Sequence, residues 1–599
     1  MAESGTLFPP YHGWGSSYNE FPVLFSINTF VHRISGLEII EFMPKLIPIF
    51  GGLSVLIFYF VARKLVENKK IALLCTLFFA FLPFHVYQTS HASPLTMGHF
   101  FIMLSLFLFL KYRENTKYII LLLISTMLLI MSHHLSTYFY LISLIGIVFV
   151  ENASLKEWTS TFWKDIFYII VTSLLIFAYW AFIAKTVYEQ FMTGFSIGGM
   201  HLESIYIIII FYVLFACLFG SIKFIRRFNE YIMKLKATVK TPVKKIFVWI
   251  ILHINPFVKK EYPTTNSRVK IFVSTIIIIY CSVLFFTFFE MPWTGFNFTL
   301  KSDIYMIPLV FAIAFGVAGF RYTWYIKNGT FIRGWTFTLV FSLIIMMITN
   351  NKTIYPHRHP EYIMAPLAIL IAYGIGGLFS DPFYKGLLSQ LKSKKDMYVS
   401  YVSGKIKILQ KNRLISFFII ILFVTSLAAT TYEMHRALGQ SWEEITSEDL
   451  DSIRWVGENL DKNTSVIASD HRLEQMIWAE GFNTSGDEVI KLWDTENTSE
   501  YIDELLGIGK NYSRITHVII DDIMKNNGVH IGPKKGYFRT VYMTNETCTA
   551  AYDKFNSTEE PVFNLICRNE TIAKDPVTNV AVHWAEVYEV NWTYIDSII

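Results

Sequence analysis

One short segment of the chain places an arginine among histidines and an acid. Arg358 lies between His357 and His359, and Glu361 follows two residues later. A guanidinium can bind a phosphate through two parallel hydrogen bonds, and a nearby carboxylate can act as a base. The segment therefore predicts a lipid-phosphate site at Arg358 and its flanking histidines, with Glu361 as a catalytic residue. The alternative is an interfacial arginine that contacts phospholipid headgroups, with Glu361 as its ion-pair partner.

Histidines and a second acid complete the set of candidate residues. Eight histidines fall close to one end of the apolar segments described below: His85, His91, His99, His133, His134, His201, His357 and His359. The first five predict a polar or metal-binding vestibule, or a histidine base that replaces a carboxylate. The alternative is that histidine suits an interface, because its ring is apolar and its edge is polar. Glu20, ahead of the first apolar segment, is the second candidate catalytic acid, unless it is merely a solvated charge.

The elements that must position these residues are membrane helices. Hydrophobic residues make up 53% of the 599 residues, and only 17% are charged, against about a quarter in an average soluble domain. Apolar runs have the length needed to cross a bilayer. They lie near 44–62, 70–88, 96–111, 117–132, 134–150, 165–186, 203–222, 270–290, 302–320, 333–350, 361–380 and 414–432. The sequence thus predicts an α-helical polytopic domain of about 12 spans over 44–432.

Basic residues in the loops predict the orientation. Counted over alternate connections, one side holds 32 Lys and Arg residues, including those of the loops 221–270 and 381–413, and the other side holds six. Because basic loops stay in the cytoplasm, residues 1–43 form a first outer loop and residues 433–599 an extracytoplasmic domain. This predicts a multi-pass protein of the plasma membrane that contacts membrane lipids. No feature indicates a nucleic-acid partner.

The tail predicts a small α/β or α+β domain. Ser447–Leu460 has the pattern of an amphipathic helix, and 464–468, 517–520, 538–543 and 581–590 have the patterns of strands. Cys548 and Cys567 could form a disulfide in an oxidising compartment. Eight N-glycosylation sequons also fit an outer location. They are Asn463, Asn483, Asn497, Asn511, Asn545, Asn556, Asn569 and Asn591. The abundance of Ile, Phe, Lys and Asn favours an archaeal source.

Three motifs follow one another in the first part of the chain. It carries GTLFPPYHGWG at 5–15 and YNEFPVLF at 18–25, and a later span ends FLPFHVYQ at 81–88. Their order resembles that of the GT-C superfamily of integral-membrane glycosyltransferases, which includes protein mannosyltransferases, aminoarabinose transferases and oligosaccharyltransferase subunits. The segment YPHRHPEYIMAPLA at 355–368 resembles the arginine segment before a late helix of that family. The family also has a helix ahead of its first outer loop, so the resemblance implies that this helix was either lost or is encoded upstream of Met1.

The resemblance implies transfer of a sugar from a polyprenyl-phosphate donor to a glycan, lipid or protein acceptor on the outer face. The segment 87–99, where the family often carries acids that bind a divalent metal, contains no Asp or Glu. The cofactor therefore stays unknown, and a metal-dependent reaction is disfavoured. Two alternatives remain open: a non-catalytic scaffold of this fold that acts in surface-glycan assembly, and a transporter or flippase.

Overall fold

The computed structural model of the chain describes two compact units that divide between residues 438 and 439. The described residues are 18–66, 68–153, 159–192, 265–288, 300–349, 358–379, 420–431, 445–485, 489–495, 497–510, 512–534, 537–541, 551–558, 560–571 and 583–599, with a few isolated positions between them. We call residues 439–599 the C-terminal unit and the described residues before 439 the first unit. The expected loops 221–270 and 381–413 lie almost wholly outside the described residues.

The first unit is helical, and its helices follow the apolar runs of the sequence. They are α1 (Val23–Ser35), α2 (Ile39–Leu65), α3 (Lys69–Phe81), α4 (Pro83–Thr89), α5 (Pro94–Glu114), α6 (Ile119–Ile130), α7 (His134–Ala153), α8 (Ser160–Phe182), α9 (Lys185–Met192), α10 (Thr265–Phe288), α11 (Leu300–Phe320), α12 (Gly329–Thr349), α13 (His359–Phe379) and α14 (Ile420–Thr431). Two short strands, β1 (Ser196–Ile197) and β2 (Met200–His201), pair between α9 and α10. The expected span at 203–222 lies outside the described residues apart from Cys217.

Six helices of the described part are long and apolar enough to cross a membrane, which supports a multi-pass membrane protein. A seventh candidate is the pair α3 and α4, which is bent by 63°. The bend follows from Pro83, because a proline disfavours helical geometry in the residue before it, and Leu82 is extended. The expected count of about 12 is not confirmed, since several of the expected spans contain shorter helices, such as the 12 residues of α6.

The segment expected to be the first outer loop is not wholly a loop. It contains α1, which ends at Gly36 in a left-handed conformation with a φ of 70°. That conformation favours glycine and lets the chain turn directly into α2.

Glycines allow two pairs of helices to approach closely. A Cβ atom placed on Gly319 of α11 would lie 1.8 Å from the backbone oxygen of Leu370 in α13. A Cβ atom on Gly146 of α7 would lie 1.6 Å from the Thr338 hydroxyl in α12. Small residues are typical of such contacts in membranes, where dispersion forces rather than the exclusion of water hold helices together.

A buried ion-pair network joins one end of α5, α7 and α8. The Nη2 atom of Arg113 lies 2.6 Å from the Asp165 carboxylate and 2.8 Å from that of Glu151. Asp165 is 1% exposed, so its charge depends on the arginine for compensation.

The C-terminal unit contains a mixed five-stranded sheet with strand order β4-β3-β5-β9-β8. The strands are β3 (Val466–Ala468), β4 (Asn483–Thr484), β5 (His517–Asp521), β8 (Phe563–Glu570) and β9 (Trp584–Val590), and β6 (Val529–Lys534) pairs separately with β7 (Tyr537–Val541). The helices are α15 (Ser447–Asn459), α16 (His471–Ala479), α17 (Lys491–Asp494), α18 (Thr498–Leu506), α19 (Asp522–Asn527) and α20 (Trp592–Ile598). The helix and strands predicted from the sequence are confirmed, with ends that differ by up to three residues.

Charged residues cluster where the parallel strands β3 and β5 end. Arg472 donates to Asp470 and to Asp521, each at 2.7 Å, and all three side chains are at most 5% exposed. Both carboxylates also cap helices, since Asp470 accepts from two amides of α16 and Asp521 accepts from Met524. Burial raises the pKa of Asp521 to about 8; Arg472 opposes this shift, and the nearby Asp449 and Asp470 carboxylates add to it.

Candidate functional site

The structure places Arg358 and Glu361 at the start of α13. Arg358 lies one residue before the helix, and Glu361 lies in its first turn. Their nearest charged atoms, Arg358 Nη1 and Glu361 Oε1, are 3.4 Å apart. The arginine side chain is 39% exposed, whereas the glutamate is only 2% exposed. An arginine that is accessible to a ligand therefore lies next to a buried carboxylate.

A third residue, Gln88 of α4, completes this group. Its Nε2 atom donates to Glu361 Oε1 at 2.9 Å, across 273 residues of sequence. The position of Gln88 follows from the bend before Pro83 and from Thr96, whose hydroxyl donates to the Gln88 carbonyl at 3.0 Å. Glu361 Oε2 is buried and has no hydrogen-bond partner among the described residues. One carboxylate oxygen is thus held by two donors while the other is not.

Tyr18, in the segment before α1, lies near the same group. It lies in a short 3₁₀ helix, Tyr18–Glu20, and is close enough to Arg358 for their charges to interact. Burial raises the pKa of Tyr18, and the Arg358 guanidinium partly offsets that effect. The phenol therefore stays neutral and can donate a hydrogen bond at neutral pH.

The structure gathers four of the candidate histidines around Tyr362, the residue after Glu361. The ring of His99 stacks on Tyr362 with centroids 5.0 Å apart, and His85 lies 5.9 Å from His99. Ser136 links His133 to the Tyr362 hydroxyl through contacts of 3.0 Å on each side. The fourth is His134, whose ring lies 4.9 Å from that of His133.

Other candidate histidines are His91 of the predicted vestibule and the two histidines predicted to bind the lipid phosphate, His357 and His359. His91 bonds the carbonyl of Tyr87 within its own segment. His359 is buried, and its Nε2 atom lies 2.9 Å from the Ser342 hydroxyl. His357 is outside the described residues. Within the part of the chain that the structure describes, no three His, Cys, Asp or Glu side chains are arranged to hold a metal ion. The contacts of the described histidines are hydrogen bonds and ring contacts, and metal binding stays a prediction.

Glu20, the other candidate acid, has different partners. Its Oε1 atom accepts from the amide of Thr186 at 3.2 Å and from the Thr186 hydroxyl at 2.9 Å. The Tyr179 hydroxyl donates to the Glu20 carbonyl at 2.6 Å. These contacts attach the segment before α1 to α8 and α9. Glu20 thus attaches the segment that carries Tyr18 to α8 and α9, and its catalytic role stays a prediction.

A cavity of about 20 Å³ adjoins the buried side of this group. Glu361, Tyr362 and His99 line it together with apolar side chains. A volume of this size holds about one water molecule and is far too small for a sugar. This cavity therefore does not hold a sugar.

The candidate residues of the C-terminal unit fall into distinct classes. Cys567 is a free cysteine, and its expected partner Cys548 lies outside the described residues, so the disulfide stays a prediction. Four sequon asparagines are exposed: Asn463, Asn483, Asn497 and Asn556. Asn569 and Asn591 are partly buried, and both side-chain amides donate hydrogen bonds. Asn511 and Asn545 lie outside the described residues.

Sequence reasoning missed Gln88, Tyr18 and Tyr362. Gln88 lies in the segment 87–99, which contains no acids, and its side-chain amide donor is the signal in the sequence that could have identified it. Tyr362 follows Glu361 directly, and only the packing of α13 against α5 and α7 shows that it contacts the histidines.

Comparison with known proteins adds no assignment to this geometry. No protein-family model matches the chain, and no curated protein sequence matches it.

Proposed function

We propose that the chain is a membrane glycosyltransferase that moves a sugar from a polyprenyl-phosphate donor to an acceptor on the outer face. The observation that carries this proposal is the exposed Arg358 beside the buried Glu361. The GT-C-like order of motifs supports the same reaction. The acceptor is a glycan, a lipid or a protein.

In this reaction Arg358 binds the donor phosphate. Its guanidinium carries a permanent charge and offers paired N–H donors that match the oxygens of a phosphate. Binding there stabilises the negative charge that develops on the phosphate as the bond to the sugar breaks. The neutral phenol of Tyr18 lies close to Arg358.

Glu361 acts as the base that removes the proton of the acceptor, and because its carboxylate is only 2% exposed, it can meet the acceptor only after Arg358 has turned to the phosphate. Its Oε1 atom is held by Gln88 and Arg358 at 2.9 Å and 3.4 Å. A phosphate that binds Arg358 competes for the guanidinium and weakens the longer of these two contacts. The carboxylate then becomes more basic at the moment when the donor is in place.

The test uses the intact protein in proteoliposomes with a polyprenyl-phosphate sugar. Replacing Arg358 by alanine removes charge-assisted hydrogen bonds worth about 1.5–3 kcal/mol, so kcat/KM for the donor should fall by about 10- to 150-fold. Glu361→Gln should lower kcat by about 10²- to 10⁴-fold, the usual contribution of a general base. Arg33→Ala is the matched control, because Arg33 is also expected on the outer side but lies in α1.

Unchanged turnover in both variants would remove Arg358 and Glu361 from the site and contradict the proposal. If the wild-type protein instead binds the polyprenyl phosphate through Arg358 but transfers no sugar to any class of acceptor, the scaffold alternative is correct.

A further inference from the structure

Two sequons of the C-terminal unit lie on neighbouring loops. Asn497 directly precedes α18, and Asn556 ends a 3₁₀ helix, Asp553–Asn556. The hydroxyl of Thr498, beside Asn497, donates to the Glu560 carboxylate at 2.6 Å, and the Glu560 amide bonds the hydroxyl of Ser557, beside Asn556. The two asparagines therefore belong to one face of the unit.

A buried lysine fixes these loops to each other. Lys554, two residues before Asn556, donates from Nζ to the carbonyls of Leu492 and Thr495. Only 7% of Lys554 is exposed, so its charge must be compensated by these carbonyls and by the Tyr501 ring 4.4 Å away. The relative position of the two sequons is thus set by the core of the unit.

The full acceptor sequence is accessible at these two sites. Asn497 and Asn556 are exposed, and so are Ser499 and Thr558, which carry the hydroxyls that complete the sequons. The other two exposed asparagines differ, because their sequons are completed by Ser465 and Ser485, which are 5% and 2% exposed. An enzyme that reads a sequon must contact both the asparagine and the hydroxyl residue.

The side chains of both asparagines make few contacts. The Oδ1 atom of Asn497 accepts from the Ser499 hydroxyl at 2.9 Å, and the side-chain amide of Asn556 lies 3.4 Å from the Tyr588 hydroxyl. The Nδ2 atom of Asn497 has one long contact, 3.5 Å, with the exposed Glu500. A sugar on Nδ2 would leave the cap of α18 intact, because the capping atom is Oδ1.

Two other sequons are used by the fold itself. Asn569 donates from Nδ2 to the hydroxyl of Ser452, a fully buried residue of α15, at 2.8 Å. Asn591 donates from Nδ2 to the carbonyl of Pro561 at 3.0 Å and caps α20 through Oδ1. A sugar at either nitrogen would have to occupy space that the neighbouring segment fills.

We propose that Asn497 and Asn556 carry N-linked glycans and form a glycosylated face of the C-terminal unit, whereas Asn569 and Asn591 stay unmodified. The inference rests on the extracytoplasmic location of this unit and is independent of any transfer reaction at Arg358. The donor is a lipid-linked oligosaccharide of the cell. The asparagine Nδ2 forms a bond to the anomeric carbon, the bond from that carbon to the phosphate oxygen breaks, and the displaced amide proton leaves to a base.

The experiment expresses the full chain in cells that N-glycosylate a co-expressed reporter and maps glycopeptides by mass spectrometry. Ser499→Ala should abolish the glycan at Asn497, and Thr558→Ala should abolish the glycan at Asn556. Each variant should lose the mass of one glycan. Thr593→Ala is the matched control, because it destroys the sequon of Asn591 and should leave the mass of the glycans unchanged.

A second measurement separates location from modification. Ser499→Cys should react with a membrane-impermeant maleimide on intact cells, above the labelling of the wild-type protein. Labelling without a glycan at Asn497 and Asn556, or a glycan on Asn569 or Asn591 in the folded protein, would overturn the proposal. Absence of both labelling and glycans would also overturn the proposal and would place the C-terminal unit in the cytoplasm. The roles of Arg358 and Glu361 are tested separately by the turnover assay.

Discussion

Replacing Arg472 by methionine should destabilise the C-terminal unit severely. The arginine is 5% exposed and bonds Asp470 and Asp521, whose side chains are fully buried. Methionine fills a similar volume but leaves both carboxylates without their cation. Removing one partner of a buried ion pair costs about 3–5 kcal/mol, because the remaining charge is neither hydrated nor paired.

Hydrogen exchange on the intact protein in detergent measures this loss where it occurs. In β3 and β5, which end beside Asp470 and Asp521, a loss of about 3–5 kcal/mol corresponds to an opening constant raised by roughly two to four powers of ten. Arg514→Met is the matched control. Arg514 pairs with Asp596, and since both side chains are about half exposed, that pair should contribute at most about 1 kcal/mol.

The pH dependence should identify the mechanism. Without Arg472, the folded-state pKa of Asp521 rises further above the unfolded value of about 3.9. The folded variant then binds more protons than the unfolded chain at neutral pH, so its stability falls as pH rises. After correction for the intrinsic rate of exchange, the deficit should be smaller at pH 5 than at pH 8. A deficit below about 1 kcal/mol at both pH values, equal to that of Arg514→Met, would refute this reasoning.

Two further predictions concern the first unit and are measured as melting temperatures in detergent. Gly319→Ala should destabilise the protein by at least about 1–3 kcal/mol, because its Cβ atom would lie 1.8 Å from a backbone oxygen of the neighbouring helix. The control, Gly52→Ala, should be neutral or stabilising, because its Cβ atom meets nothing within 4 Å. Equal effects of the two substitutions would contradict the packing of α11 against α13. Arg113→Met should lower the free energy of unfolding by about 3–5 kcal/mol, because it leaves Asp165 buried and unpaired. The control, Lys64→Met, removes a more exposed ion pair and should lower it by at most about 1 kcal/mol. Similar losses of stability in the two variants would contradict the network at Arg113.

Much of the helical pattern could be predicted because apolar length is a local property of the sequence. Helices occupy the expected spans throughout the described part, including the 21 residues of α13. The bend between α3 and α4 was missed because the run 70–88 is apolar throughout, although Pro83 lies inside it. Hydropathy measures solvation by lipid and is insensitive to the direction of a helix. It therefore predicts one straight span, whereas the axes of α3 and α4 are bent by 63°.

The candidate site was predictable only in its local part. Arg358 and Glu361 are three residues apart, so a helix that begins between them brings their side chains together. Gln88 joins them from 273 residues away, and Thr186 holds Glu20 across 166 residues. Such contacts depend on how helices pack, which neither spacing nor hydropathy determines.

The two candidate acids have different partners. Glu20 is held by the backbone amide and the hydroxyl of Thr186, which are neutral donors. Glu361 is held by Gln88 and by an arginine whose side chain is 39% exposed. Under the proposed function, a phosphate that competes for that arginine changes the charge beside Glu361 and leaves the surroundings of Glu20 as they were. The proposal therefore predicts that donor binding makes the carboxylate of Glu361 more basic and has no such effect on Glu20.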